Sequence, residues 1–156
     1  MQHYFIPTLR ASVKLRQHDP AAAIDLLRGA SKYELAFTGS VDSVYPAYIR
    51  GLAYLDLGDC RSAAAQFQKL IDNPGIAVRH VTGPLARLQL ARAQKIMGDE
   101  AARKSYETFL DLWKNADPDI PIYQQPSPST PNSENKLHSL FPRTCEAGAL
   151  KSPAWS

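Results

Sequence analysis

Cysteine and histidine are scarce in this chain, and neither type is clustered. The two cysteines, Cys60 and Cys145, are far apart, and no CxxC pair or Cys/His group accompanies them, which argues against a structural zinc site. Such low cysteine usage makes a reducing compartment the default expectation. None of the four histidines stands at ligand spacing from another potential ligand. We therefore expect no metal and no cofactor.

Long apolar runs and an excess of charge of one sign are also missing. No stretch of about 18 consecutive apolar residues occurs, so no membrane span is predicted. The first residues lack the basic and apolar regions of a secretory signal. The formal net charge of +3 is too mild for a nucleic-acid interface, which needs a concentrated basic stripe. We expect a cytoplasmic location, or that of a larger parent protein.

Catalytic patterns are absent as well. Ser43, Ser62 and Ser105 have no adjacent histidine that could serve as a base. Asp117 and Asp119 could in principle do acid–base chemistry, but they flank a proline beyond a predicted helix end, where a solvated turn is the better interpretation. The sequence therefore predicts that the chain is not an enzyme.

A period of 40 residues organises what is present. Asp19, Asp59 and Asp99 align at this offset, a glycine precedes the last two, and His18 occupies that place in the first unit. Each unit predicts two helices joined by a tight turn. Glycine supplies the left-handed end of one helix, and aspartate caps the start of the next.

The spacing of apolar residues places the helices. The middle unit is clearest, with Gly51 and Ala63 small enough for close helix approach and Phe67 filling the space beside them. We expect an all-α fold of three stacked antiparallel helix pairs. The six predicted helices cover residues 8–17, 21–37, 45–57, 61–72, 85–97 and 100–115.

The middle unit resembles the tetratricopeptide repeat. In the third unit Gln94 replaces an aromatic residue and Tyr106 lies one place early, as if a residue were lost after Gly98. Residues 75–83 make the unit longer than the usual repeat of about 34 residues. The resemblance implies an α-solenoid that binds other proteins. It rests on Gly51, Tyr54, Gly58, Ala63, Phe67 and Pro74.

Residues 36–39 with 45–55, and residues 109–121, are similar to the C-terminal repeat region of large bacterial signalling proteins. In those proteins a serine/threonine kinase or winged-helix DNA-binding domain precedes the repeats. The likeness covers about residues 20–123 and implies a regulatory or sensing array. This segment has no Gly-rich loop, HRD or DFG motif, so the catalytic part is not represented.

Composition divides the chain into a helical-repeat domain, residues 1–122, and a Pro/Ser-rich tail, residues 123–156. Seven of the 12 prolines lie from Pro118 onward, which favours disorder over helix. A disrupted reading frame or a truncated gene would produce such an end. Phe109, Leu112 and Trp113 would then stay partly uncovered. The tail, a partner or self-association through this last repeat would cover them.

The face of the first helices is the predicted binding surface, because first helices line the inner groove of stacked helix pairs. Aromatic residues beside cations suit an extended peptide with an acidic group. Packing against the preceding unit is the alternative for the aromatics, and ordinary solvation is the favoured one for the cations. The chain is thus predicted to be a scaffold for a peptide or partner helix. The groove residues are Tyr45, Tyr48, Leu52, Leu55, Leu88, Arg92 and Lys95.

Overall fold

The computed structural model describes residues 4–35, 44–77 and 81–115, and these ranges are helical with no β-strand. The chain is therefore all-helical in its described part, as predicted. The tail at 123–156 and the boundary at residue 122 lie outside the described residues. The helices are α1 (Phe5–Arg16), α2 (Pro20–Leu27), α3 (Tyr45–Asp56), α4 (Cys60–Ile71), α5 (Pro74–Ala77), α6 (Thr82–Ile96) and α7 (Ala101–Leu112), and a 3₁₀ helix (Arg28–Tyr33) follows α2.

Aspartate and glycine make the turns between paired helices, as the 40-residue register predicts. Asp19 and Asp59 each accept a hydrogen bond from the backbone N–H three residues later, at 3.2 and 3.0 Å. Each carboxylate thereby satisfies a donor that the start of a helix leaves unpaired. Gly58 and Gly98 adopt left-handed φ values of 77° and 73°, and His18 adopts 58° at the equivalent position.

In the third unit the buried face of α7 comes one residue earlier than the 40-residue register predicts, although α7 itself begins one residue later, at Ala101. Asp99 accepts a hydrogen bond from the N–H of Ala101, two residues later, at 2.9 Å. The one-residue shift after Gly98 therefore arises where α7 begins and not within the helix. The buried residues of α7, Ala102, Tyr106 and Phe109, follow their α4 counterparts Ala63, Phe67 and Leu70 by 39 residues.

Helices that are consecutive in the chain pack together. The pairs are α1 with α2, α3 with α4 and α6 with α7, and neighbouring pairs meet through α2 against α3 and α4 against α6. In addition α3 contacts both α1 and α6. The first helix of the middle pair therefore touches the first helices of the other two pairs.

Close approach within the middle pair depends on Gly51. A Cβ atom at this position would lie 2.6 Å from Cε1 of Phe67, far inside van der Waals contact. Phe67 is fully buried, and its ring meets that of Tyr48 edge to face at a centroid distance of 5.9 Å. The predicted pairing of a small residue with an aromatic across the helix pair is confirmed.

Several helix bounds differ from the prediction. The helix expected over 21–37 ends as α-helix at Leu27 and continues as 3₁₀ helix to Tyr33. The expected break after Asn73 contains the short helix α5, whose first residue is Pro74, a position where the missing N–H costs nothing. For the same reason Pro84 fits the first turn of α6, which begins three residues before the prediction.

The C-terminal end of the described structure corrects one expectation. Phe109, expected to stay partly uncovered, is only 2% exposed because it packs with Leu88 and Tyr106. Trp113 lies against it at a ring-centroid distance of 5.4 Å. Leu112 is exposed, as expected.

Candidate functional site

A group of polar side chains spans three helices on the side where α3 meets α6. This polar cluster consists of Tyr48 on α3, Gln89 and Arg92 on α6, and Tyr106 on α7. The Arg92 guanidinium donates to Gln89 Oε1 at 3.3 Å and to the Tyr106 hydroxyl. Gln89 in turn hydrogen-bonds Tyr48. The cluster therefore links two helix pairs through one half-buried cation.

Burial governs the protonation behaviour of the polar cluster. It raises the pKa of Tyr48 and of Tyr106, and the nearby Arg92 charge opposes both shifts. Burial likewise lowers the pKa of Arg92, and the two tyrosines act in the other direction. An arginine starts so far above neutrality that it stays cationic, so the cluster presents a positive charge in a partly desolvated setting.

The structure brings together only some of the predicted groove residues. Tyr48 and Arg92 meet in the polar cluster, but Tyr48 is also part of the core. Leu88 is 5% exposed and packs against α7 in a separate apolar cluster. Lys95 is exposed on the last turn of α6. The other three predicted residues, Tyr45, Leu52 and Leu55, are half-buried along α3.

Sequence reasoning missed Gln89 and gave Tyr106 only a packing role. Gln89 precedes Arg92 by three residues, which places both on one helix face, and that spacing was an available signal. Nothing in the sequence alone brings Tyr106 to the same place, because its position depends on how α7 packs against α6.

A second polar group, the Glu34 network, was not predicted at all. The Glu34 carboxylate is fully buried and accepts hydrogen bonds from Arg50 Nη2 and, at 2.7 Å, from Lys69 Nζ. Arg50 also donates to Ser31 Oγ at 2.6 Å and to Gln66 Oε1 at 3.2 Å. The network ties the 3₁₀ helix after α2 to both helices of the middle pair.

The Glu34 network forms one side of a cavity of about 400 Å³. Its polar walls are largely the network itself, together with Arg28, which pairs with Asp25 at 2.9 Å. These groups satisfy one another, so the arrangement works first as a brace between helix pairs. The 40-residue offset gave a signal for this network, because Arg50 occupies the position of the buried Leu90 in the next unit. A cation buried there needs a carboxylate partner.

Other kinds of site find no support in the described part of the chain. Among the residues of 4–35, 44–77 and 81–115, no three potential ligands are grouped so as to hold a metal ion. None of the helices in these ranges is long and apolar enough to cross a membrane. Cys60 is buried at the start of α4, and Cys145 lies outside the described residues.

The described residues define an all-helical protein built from consecutive helix pairs. No family model matches the chain, and neither a curated protein nor a solved structure matches it. The resemblance to the tetratricopeptide repeat and to bacterial signalling arrays therefore stays a prediction.

Proposed function

We propose that this chain is a non-catalytic, tetratricopeptide-like scaffold that binds a peptide or partner helix along its first helices. The observation that carries the proposal is the polar cluster, which holds the Arg92 cation half-buried at the junction of α3 and α6. A partly desolvated guanidinium forms stronger hydrogen bonds to a carboxylate than one in open water.

The surroundings of Arg92 favour an extended peptide that has apolar residues beside an acidic one. Leu52 and Leu55 are half-buried on α3 and offer apolar surface, and Tyr45 lies at the start of the same helix. Lys95 adds an exposed cation one turn after Arg92 on α6. Stacking and apolar contact would hold the peptide, and Arg92 would select the acidic side chain.

The test compares matched peptides of about ten residues that differ only in Glu against Gln, using fluorescence anisotropy with the full chain. We expect the acidic member of a pair to bind at least about tenfold more tightly. Arg92→Gln should remove this preference. Tyr48 is left intact because it is part of the core, and its loss would disturb folding.

Arg103→Gln is the matched control, because Arg103 is an exposed arginine of α7 outside the polar cluster. It should bind both peptides as the unmodified chain does. An Arg92→Gln variant that keeps full preference for the acidic peptide would refute the groove, and so would a chain that binds no peptide of either kind.

A further inference from the structure

The outer face of α1 is largely apolar, and its side chains are exposed in the part of the chain that the structure describes. Ile6, Leu9 and Val13 recur at helical spacing, so they lie on one side of the helix. These residues are 42, 65 and 52% exposed. On the opposite side of α1, Ala11 is buried and Leu15 is half-buried, and both pack with residues of α2 and α3. We call Ile6, Leu9, Arg10 and Val13 together the α1 outer face.

The middle helix pair shows what such a face contacts. In α3, Ile49 and Ala53 pack in a core cluster with Ala23 and Leu27 of α2. Arg50 hydrogen-bonds Ser31 and Glu34, which lie in the 3₁₀ helix after α2 and at its end. At the 40-residue offset the α3 counterparts of the α1 outer face are Pro46, Ile49, Arg50 and Ala53.

The third helix pair repeats the same burial. Ala86 and Leu90 belong to the core cluster that α4 shares, and none of the four counterparts is more than 8% exposed. In both pairs the equivalent face is therefore covered by the second helix of the preceding pair. The α6 counterparts are Ala86, Gln89, Leu90 and Ala93.

We propose that the α1 outer face is a docking surface for an amphipathic helix of a partner protein, with small apolar residues on its contact stripe and acidic residues beside it. The size of the α1 side chains favours small residues on the partner helix. Ile6 and Val13 are bulkier than Pro46 and Ala53 at the equivalent places, so the incoming helix must be slimmer to reach the same distance. Alanine meets this requirement.

The acidic residues follow from charge. Helix α1 carries Arg10, Lys14 and Arg16 and no acidic residue. Arg10 is exposed between the apolar members of the α1 outer face, whereas its counterpart Arg50 bonds the Glu34 carboxylate of the neighbouring pair. A carboxylate of the partner would pair with Arg10, as the Glu34 carboxylate pairs with Arg50. A second copy of α1 would instead oppose these cations with like charge.

Two synthetic helices of about 14 residues, with the same Ala/Leu stripe but flanked by Glu or by Lys, are the probes. Fluorescence anisotropy with the full chain should show the Glu helix binding at least about tenfold more tightly. Leu9→Glu with Val13→Glu should abolish this binding, and Arg10→Glu should shift the preference toward the Lys helix.

Leu112→Glu is the control, because Leu112 is 55% exposed on α7, comparable to Leu9 and Val13 on α1. It should bind the Glu helix normally, and each measurement is repeated in the Arg92→Gln chain, so that binding in the groove does not contribute. Circular dichroism checks that each variant is folded. Equal binding of the two helices, or binding that survives the Leu9 and Val13 changes, overturns the proposal. A doubled mass in light scattering that these changes abolish would assign the face to a second copy instead.

Discussion

Arg50 is buried at the position where the third unit has Leu90, and the Glu34 carboxylate pairs with its charge. Arg50 and Glu34 are both buried, and Lys69 on α4 brings a second, half-buried cation to the same carboxylate. A buried ion pair of this kind contributes less than its geometry suggests, because both groups lose hydration. Replacing either partner alone would leave the other charge buried without its counterpart and would lower the stability of the protein.

A single substitution in the Glu34 network should lower the stability of the protein markedly. Glu34→Gln keeps the shape but leaves the Arg50 guanidinium buried without a carboxylate, so we expect the free energy of unfolding to fall by about 3–5 kcal/mol. Urea denaturation followed by circular dichroism measures this.

Glu107→Gln is the control for Glu34→Gln, since it breaks the pair with Arg103, which lies on the surface of α7. We expect no measurable change there, because exposed pairs contribute little. A Glu34→Gln chain as stable as the unmodified one would show that the network does not brace the helix pairs.

At the scale of the helix, the crossing of α3 and α4 depends on a missing side chain. Gly51→Ala should favour the isolated helix by up to about 1 kcal/mol, since alanine is the better helix former. The new methyl group would nevertheless overlap the Phe67 ring, and overpacking costs about 1–3 kcal/mol. We therefore expect a net loss of stability, measured by urea denaturation.

Gly29→Ala is the matched control, because no atom lies within 4 Å of a Cβ placed at Gly29. It should leave stability unchanged or raise it. Combining Gly51→Ala with Phe67→Leu should cost less than the sum of the two single changes, because the smaller side chain makes room. Strict additivity would contradict the contact.

The helices show which features a sequence of this kind reveals. The turns were predictable because Asp19, Asp59 and the glycines act locally. The repeat pattern places Tyr48 and Arg92 on first helices, but their meeting in one cluster depends on how α3 packs against α6. Glu34 was missed because its role depends on a 3₁₀ segment that replaces the expected helix, and on partners 16 and 35 residues away. The register marks Arg50 as unusual, but it does not show which carboxylate Arg50 contacts.

For the whole molecule, the stacking of helix pairs implies uneven stability. Helices α3, α4 and α6 each pack against helices on two sides, whereas α1 leaves its outer face open. In stacked arrays each unit is stabilised chiefly by its neighbours. Local opening is therefore expected to be easiest at α1, because no described helix packs on its outer face.

Native-state hydrogen exchange followed by mass spectrometry tests this ordering. Amide protons of α1 should exchange well before those of α3 and α4, and adding the Glu-flanked helix should slow α1 selectively. Exchange of α7 serves as the internal reference, since that helix is remote from α1 in the stack. Protection of α1 equal to that of α4 would mean that the pairs unfold as a single cooperative unit.

The left-handed backbone of His18 affects how easily α1 detaches from α2. Glycine takes this conformation freely in the two later turns, but a residue with a Cβ atom is held there at a cost of about 1–2 kcal/mol. This strain is released when α1 detaches from α2, so it lowers the free-energy cost of detachment by the same amount. We therefore expect α1 to detach before the other two helix pairs separate.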